Sequence, residues 1–322
     1  MKRRTLILSA AGALGTFAAA TSRAQPFPRK PVRIIVPFPA GGSNDLIARA
    51  ISDKLAARLG QPVVVEDKPG ASGSIGTDMV AKSDADGHTL LLASLPTAVA
   101  PALMKTPWDP VKDLTGVAYL GVTPNIVAVH PSLGVNNLRE LVDLAKARNG
   151  ELNYVNSGNG TSPHLGAEVF QYVNGVKLTP IMYKGAPPSV TDFVAGTVPV
   201  GFYPFGVIIG LVKSGRAKAI ALAGPVRSRQ LPDVPTMTEQ GFESSLVNSW
   251  FALMAPAGTP AAVVQQINTE TNAVLADPAT VAAMETLGGA AVPPWTPQQT
   301  TDMIVNDTRR WADLIPKAGI KG

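Results

Sequence analysis

The chain has 322 residues, 45% of them hydrophobic and only 16% charged, which excludes a disordered polypeptide and supplies core for two domains or one domain split by an insertion. Its formal charge of +5 comes from 28 basic and 23 acidic residues, but four of the basic ones, Lys2, Arg3, Arg4 and Arg23, fall within residues 1–24 and leave 24 against 23 beyond them. That near balance, without any Lys/Arg-rich run, excludes a nucleic-acid footprint, and the absence of cysteine excludes disulfides, thiolate metal sites and a lipidated cysteine.

Residues 1–24 read as an export signal: Lys2, Arg3 and Arg4 form a basic start, residues 6–20 a short apolar stretch, and Ser22-Arg23-Ala24 a small-residue cleavage site. The mature chain is expected in the periplasm, with a Sec-type route read over the twin-arginine route that Arg3-Arg4 alone would suggest. No later window of about 20 residues lacks charges and prolines, so no membrane-spanning helix is expected.

Val32–Val36 predicts a strand. Leu46, Ile47, Ala50, Ile51, Leu55 and Leu59, spaced by three and four, then predict one apolar face of a helix over 44–59. The unit recurs as strand 62–66, helix 74–82 and strand 89–93, and later as strand 178–182 with helix 189–196. Alternation of this kind predicts an α/β architecture with largely parallel sheets and helices on both faces. Residues 125–130 begin a second series, and a return crossing falls near 250–256. The expected division is residues 26–124 plus 249–322 in one lobe and 125–248 in the other, joined by two crossing strands that permit closure around a ligand. Helices at 260–276, 278–287 and 297–318, each opened by a proline, are expected to pack on the first lobe.

Loops that follow strands and open helices are where an open sheet holds its ligand. In the first, Phe38, Pro39, Ala40, Gly41, Gly42, Ser43, Asn44 and Asp45, two glycines let the backbone turn closely, and Ser43 and Asn44 are suited to capping. Free N–H groups there carry a partial positive field that attracts a carboxylate, although Asp45 also reads as a simple complement to the helix dipole. The second, running from Lys68 through Ser72 to Ser74, is Gly-rich but lacks the Gly-Lys-Ser/Thr ending of a nucleotide-binding loop. In the third, Ser157, Gly158, Gly160, Thr161 and Ser162 precede Pro163 and His164, with hydroxyls set above a helix start or serving only as its caps. Anion sites on opposite lobes would then grip the two ends of a diacid. Ser94 and Thr97 follow another strand, as do Tyr183 and Lys184, the latter read as a solvated charge; Phe202, Tyr203 and Phe205 read as core.

Seven segments in this order carry a family resemblance: residues 36–45, 69–76, Asp86-Gly87-His88-Thr89-Leu90, the set Asn153-Tyr154, Ser157-Gly158 and His164-Leu165, Tyr183-Lys184-Gly185, residues 231–236, and residues 255–260. Together they resemble the Bug-type solute receptors of tripartite tricarboxylate transporters over essentially the whole mature chain. The resemblance implies a two-lobed periplasmic binding protein of type 2, a Venus flytrap with two crossover strands, that does no chemistry and needs no cofactor. It implies a ligand carboxylate held from both lobes by backbone amides, hydroxyls and bridging water, around residues such as Ser157, His164 and Tyr183. The ligand class is a small organic acid (di- or tricarboxylate, amino acid, aromatic or nicotinate-like acid), and the partners are integral membrane transporter subunits. Pro163 departs from the pattern and removes one N–H donor.

Two other classes stay open. Ser157, His164 and an aspartate form a conceivable hydrolase triad, but residues 155–159 read Val-Asn-Ser-Gly-Asn where a nucleophile elbow needs Gly-x-Ser-x-Gly. A periplasmic sensor that presents its closed form to a signalling partner has the same sequence signature as a transport receptor. A metal enzyme is not expected, since His88, His130 and His164 are the only histidines and none is paired at ligand spacing.

Overall fold

The computed structural model describes residues 27–321 except Pro225, so the export signal expected at 1–24 lies outside the described residues. In chain order the elements are β1 (Val32–Val36), α1 (Ser43–Leu59), β2 (Val63–Asp67), α2 (Ser74–Ala81), β3 (Thr89–Ser94), α3 (Leu95–Leu103), β4 (Leu114–Thr123), β5 (Asn125–Val129), α4 (Leu138–Arg148) and β6 (Asn153–Asn156). They continue with α5 (Ser162–Asn174), β7 (Thr179–Met182), α6 (Ala186–Val194), β8 (Val200–Pro204), α7 (Phe205–Lys213), β9 (Lys218–Ala223), β10 (Ser249–Pro256), α8 (Ala261–Leu275), α9 (Pro278–Thr286) and α10 (Pro297–Ala318).

The strands form two five-stranded sheets, ordered β2-β1-β3-β10-β4 and β7-β6-β8-β5-β9. Each follows one pattern: three strands from consecutive βα units, then a strand arriving from the other sheet, then an outer strand. The expectation of largely parallel sheets is corrected here. Pairings of β1 with β2 and β3, and of β6 with β7 and β8, are parallel, whereas β10 and β5 run antiparallel to both of their neighbours. A strand that enters from the opposite lobe reaches the sheet at the end where the βα strands finish, so its direction is reversed.

Helices on both faces explain why the strands are apolar at successive positions instead of alternating. Val32, Ile34 and Val36 point into a core shared with α1 and α8, while Ile35 between them joins a second core with α2, α3 and α10. In the other sheet, Val127 and Val129 face one core and Ile126 and Ala128 the other. The predicted face of α1 is seated as expected, with Ile47, Ile51, Leu55 and Leu59 buried and each contributing roughly 1.5–3 kcal/mol. Phe202, Tyr203 and Phe205 are buried core.

α6 starts three residues before the predicted 189, because Pro187 and Pro188 are tolerated in a first turn where no N–H bond is lost. Pro260 stands at the N-cap of α8, one place earlier than its predicted role; Pro278 and Pro297 do open α9 and α10. α8 and α10 pack on β4. One helix crosses the lobe division: Leu165 and Val169 of α5 join the core formed by Val99, Trp250, Ile304 and Trp311. The start of α5 is thereby fixed against the first lobe. Among the described residues, no helix is long and apolar enough to cross a membrane.

Candidate functional site

Five helix starts converge on one chamber of about 500 Å³, counting its open mouth, between the sheets. Gly42 and Ser43 come from α1, Ser94 to Pro96 from α3, Thr161 to Pro163 from α5, Gly185 to Pro187 from α6, and Pro204 from the residue before α7. Phe38, Pro39, Asn44, Ser157, Ser249 and Phe251 complete the wall. No lining side chain carries a charge. The N–H groups of a first helical turn have no intrahelical acceptor and carry the positive end of the helix dipole, so such a wall attracts an anion without a cation.

Which donors remain is decided by what the chain has already used. Gly41 N–H donates to Asp45 Oδ2 (2.8 Å) and Gly42 N–H to Pro39 O (3.2 Å). The N-cap of α1 is Gly42, not Ser43 or Asn44, and its first backbone bond runs from Leu46 to Gly42 O. The amides of Ser43, Asn44 and Asp45 therefore precede the bonded helix. Asn44 instead uses its side chain, donating to Ser94 Oγ (3.0 Å) and Leu92 O (3.3 Å) and tying the start of α1 to the end of β3. In the second lobe, Gly158 N–H donates to Asn156 Oδ1 (2.9 Å), Gly160 N–H to His164 Nδ1 (3.1 Å) and Thr161 N–H to Gly158 O (3.2 Å). Thr161 Oγ1 also donates to Gly158 O (2.6 Å). Ser162 and His164 then supply the first amides of α5, with none from Pro163 between them.

Two hydroxyls are unspent. Ser43 Oγ and Ser157 Oγ are buried without a hydrogen-bond partner, and both border this chamber, one from each lobe. Ser157 as a residue is 3% exposed, so a ligand in the chamber offers its hydroxyl the partner it lacks.

A second chamber, of about 1140 Å³ counting its open mouth, adjoins the first and shares Phe38, Pro39, Ser157 and Gly185 with it. Its walls are the loop Pro69 to Gly73 on one side and Gly158 with Met182 to Gly185 on the other. The narrow boundary demands glycine: Gly185 has φ +104°, and a Cβ there would stand 3.1 Å from Pro39. Gly158, at φ +121°, lies against Ser72 in the same way. Tyr183 borders this chamber, but its hydroxyl donates to Asp192 Oδ2 (2.6 Å). Burial, and then that carboxylate, push its pKa up to about 12, so the phenol stays neutral and presents its ring.

Of the residues expected at the site, Phe38, Pro39, Gly42, Ser43, Ser94, Ser157 and Thr161 border the first chamber, and Ser72, Gly158 and Tyr183 the second. Ala40, Gly41, Asp45, Thr97, Gly160 and His164 border neither. Asp45 holds Gly41 and pairs with Arg49 (2.5 Å); Thr97 Oγ1 accepts from Ser94 N–H (3.4 Å); Gly160 packs toward Val99 and Leu103. These residues shape the loops from behind. The opposed loops expected to grip a diacid both border the first chamber. Leu95, Pro96, Pro187 and Pro204 also line the first chamber and were not expected there. Ser249 and Phe251, on the returning β10, have no motif to reveal them.

His164 Nδ1 accepts the Gly160 N–H, and burial holds the imidazole below its ordinary 6.5. The unfolded chain binds a proton there at higher pH than the folded one, so this contribution is complete above 6.5 and is lost as pH falls through the window beneath it. Urea unfolding should show the protein weakening as pH falls below the ordinary imidazole value of 6.5, with less weakening in His164→Gln. An imidazole titration by NMR with a pKa above 6.5 would contradict this.

Fold and site together define a two-lobed solute-binding protein. The chain belongs to the receptor family of tripartite tricarboxylate transporters, whose model matches residues 47–320. It is 38% identical to protein BugT of Bordetella pertussis over 94% of each chain. The structure of the periplasmic binding protein BugD is similar, with 32% identity and a TM-score of 0.85 over 92% of this chain and 99% of that one. MatC of Rhodopseudomonas palustris, solved with bound malate, is 29% identical with a TM-score of 0.85 over 90% of this chain and all of that one.

Proposed function

We propose that this protein is a periplasmic receptor that captures a small organic acid in the first chamber and delivers it to integral membrane subunits of a tripartite tricarboxylate transporter. The observation that carries the reading is the pair of buried, unpartnered hydroxyls, Ser43 Oγ and Ser157 Oγ, on two residues that line one uncharged chamber from opposite lobes. A carboxylate accepts from both, and from the first amides of α1 and α5, so its binding favours the closed arrangement over the open one. Family membership and the malate held by MatC support an acid as the ligand and a membrane transporter as the partner.

The hydrolase alternative needs a base within reach of Ser157, but His164 Nδ1 is engaged by Gly160 N–H and Ser157 Oγ has no partner among the described residues. A thermal-shift screen of small organic acids beside their neutral amides tests the proposal. At a hundredfold excess over Kd an acid should stabilise by about 2.7 kcal/mol, a rise of several degrees in Tm, and its amide by far less. Equal shifts from acid and amide, or no shift from any acid, would remove the proposal.

A further inference from the structure

The two halves of the molecule also touch at a seam that borders neither chamber. The end of α9 belongs with the first sheet. Met284 is buried in the core of β1 and α1 with Leu287 packed against it, and Lys54 of α1 donates to Asp277 and to Thr280 Oγ1 (3.1 Å) at the other end of the helix. The start of α7 belongs with the second sheet, where Phe205 and Ile208 share a core with Ile126 and Val155. These two helix ends meet closely. A Cβ at Gly206 would stand 3.0 Å from Leu287 Cδ2, and one at Gly288, whose φ is +83°, would stand 2.6 Å from Phe205 Cβ. Beside them Gln230 Nε2 donates to Glu285 O (2.7 Å), in the last turn of α9.

The position of the seam gives it leverage. Phe205 N–H donates to Pro124 O (3.1 Å), so α7 starts against the residue where the chain first passes between the sheets. Gly206 and Leu287 share a small cavity with Thr123, the last residue of β4, and with Ser43, which also lines the first chamber. At so short a distance from the pivot, a displacement the size of one side chain changes the opening of the cleft by more than its own width.

We infer that this seam sets the affinity for an acid from outside the chamber: Gln230, Gly206, Leu287 and Gly288 are positioning residues whose contact holds the sheets at the angle that buries Ser43 and Ser157 together. The contact favours that arrangement before any acid enters, and apparent affinity scales with the fraction of protein already in it. The inference rests on the reading above for where the acid binds and assigns what prepares the chamber to receive it.

The chain has no cysteine, so Ala57→Cys on α1 and Lys146→Cys on α4, both exposed, place a spin-label pair whose separation reports the angle between the sheets in the full mature protein without ligand. The wild type should populate the separation of this structure. Gln230→Ala should lower the ratio of that population to a wider one about two- to tenfold, the effect of one neutral hydrogen bond. Gly206→Leu should lower it about tenfold or more, because the added side chain meets Leu287, yet urea unfolding should stay near wild type, since leucine favours a helix over glycine and opening relieves the clash. Lys213→Ala removes only the bond from Lys213 Nζ to Gln230 Oε1 (2.7 Å) within the second lobe and should leave the ratio unchanged. Calorimetry with malate, replaced by the acid of largest Tm shift if malate is silent, should show affinity falling by the same factors. A wild type that never populates this separation, variants that match it, or shifted separations with unchanged affinity would each overturn the seam's role while leaving the chamber its acid. Silence of every screened acid on the wild type overturns the proposed function, and the seam's role in binding with it.

Discussion

Ser157→Ala should lower affinity for a bound acid by about ten- to hundredfold, the loss associated with one hydrogen bond to a charged group. It should do so without weakening the ligand-free protein. These two outcomes normally conflict, since removing a buried hydroxyl usually strands whatever it was bonded to. Here Ser157 Oγ has no protein partner, so nothing is stranded. The backbone of Ser157 makes its own contribution through its carbonyl, which accepts Gly185 N–H (3.2 Å), and alanine preserves that bond. Calorimetry with the best acid from the screen, beside urea unfolding of the free protein, reads both quantities. A stability loss above about 1 kcal/mol with unchanged affinity would mean that the hydroxyl serves the fold and that the chamber binds through other groups.

Parts of this structure were legible because their signal is local. α1 announces itself through Ile47, Ile51, Leu55 and Leu59, since a helix with one core-facing side must repeat near 3.6 residues. α3 does not, because Leu95–Leu103 is apolar nearly all round and holds Pro96 and Pro101, which hides its period. The reversed direction of β5 and β10 was equally hidden: a strand buried on both faces has the same pattern whichever way it runs. At the site, Gly41, Gly42, Gly158 and Gly160 marked the turns correctly, but not which of their amides were free. Asp45 claims Gly41 and His164 claims Gly160 through side-chain reach across one turn of helix, a choice that spacing permits and does not compel. Lys184 reads as a solvated charge along the chain; only the opposing loop Pro69 to Gly73 turns its surroundings into a chamber.

Asn125→Ala should cost about 3 kcal/mol of stability, because it strands two buried groups at the place where the chain passes between lobes. Asn125 is the first residue of β5, 1% exposed, and follows β4 after a single proline. Its Nδ2 donates to Val247 O (2.9 Å), on the segment returning to β10, and its Oδ1 accepts from Ser162 Oγ (3.1 Å), at the first residue of α5. Ser249 Oγ, on β10, donates in turn to Ser162 Oγ (2.6 Å). One amide thus ties the outgoing crossing, the returning crossing and the helix whose start borders the first chamber. Its loss leaves the Val247 carbonyl without that donor and the Ser162 hydroxyl without its acceptor, in a setting too dry to replace either cheaply. Because α5 is positioned through this relay, affinity for the acid should fall as well, which a purely distant core mutation would not cause. A double-mutant cycle of Asn125→Ala with Ser249→Ala separates the cases. Coupling above about 0.5 kcal/mol in unfolding, with correlated loss of binding, is expected for a connected relay, whereas additive effects and unchanged affinity would show that the crossings are held independently of the ligand helix.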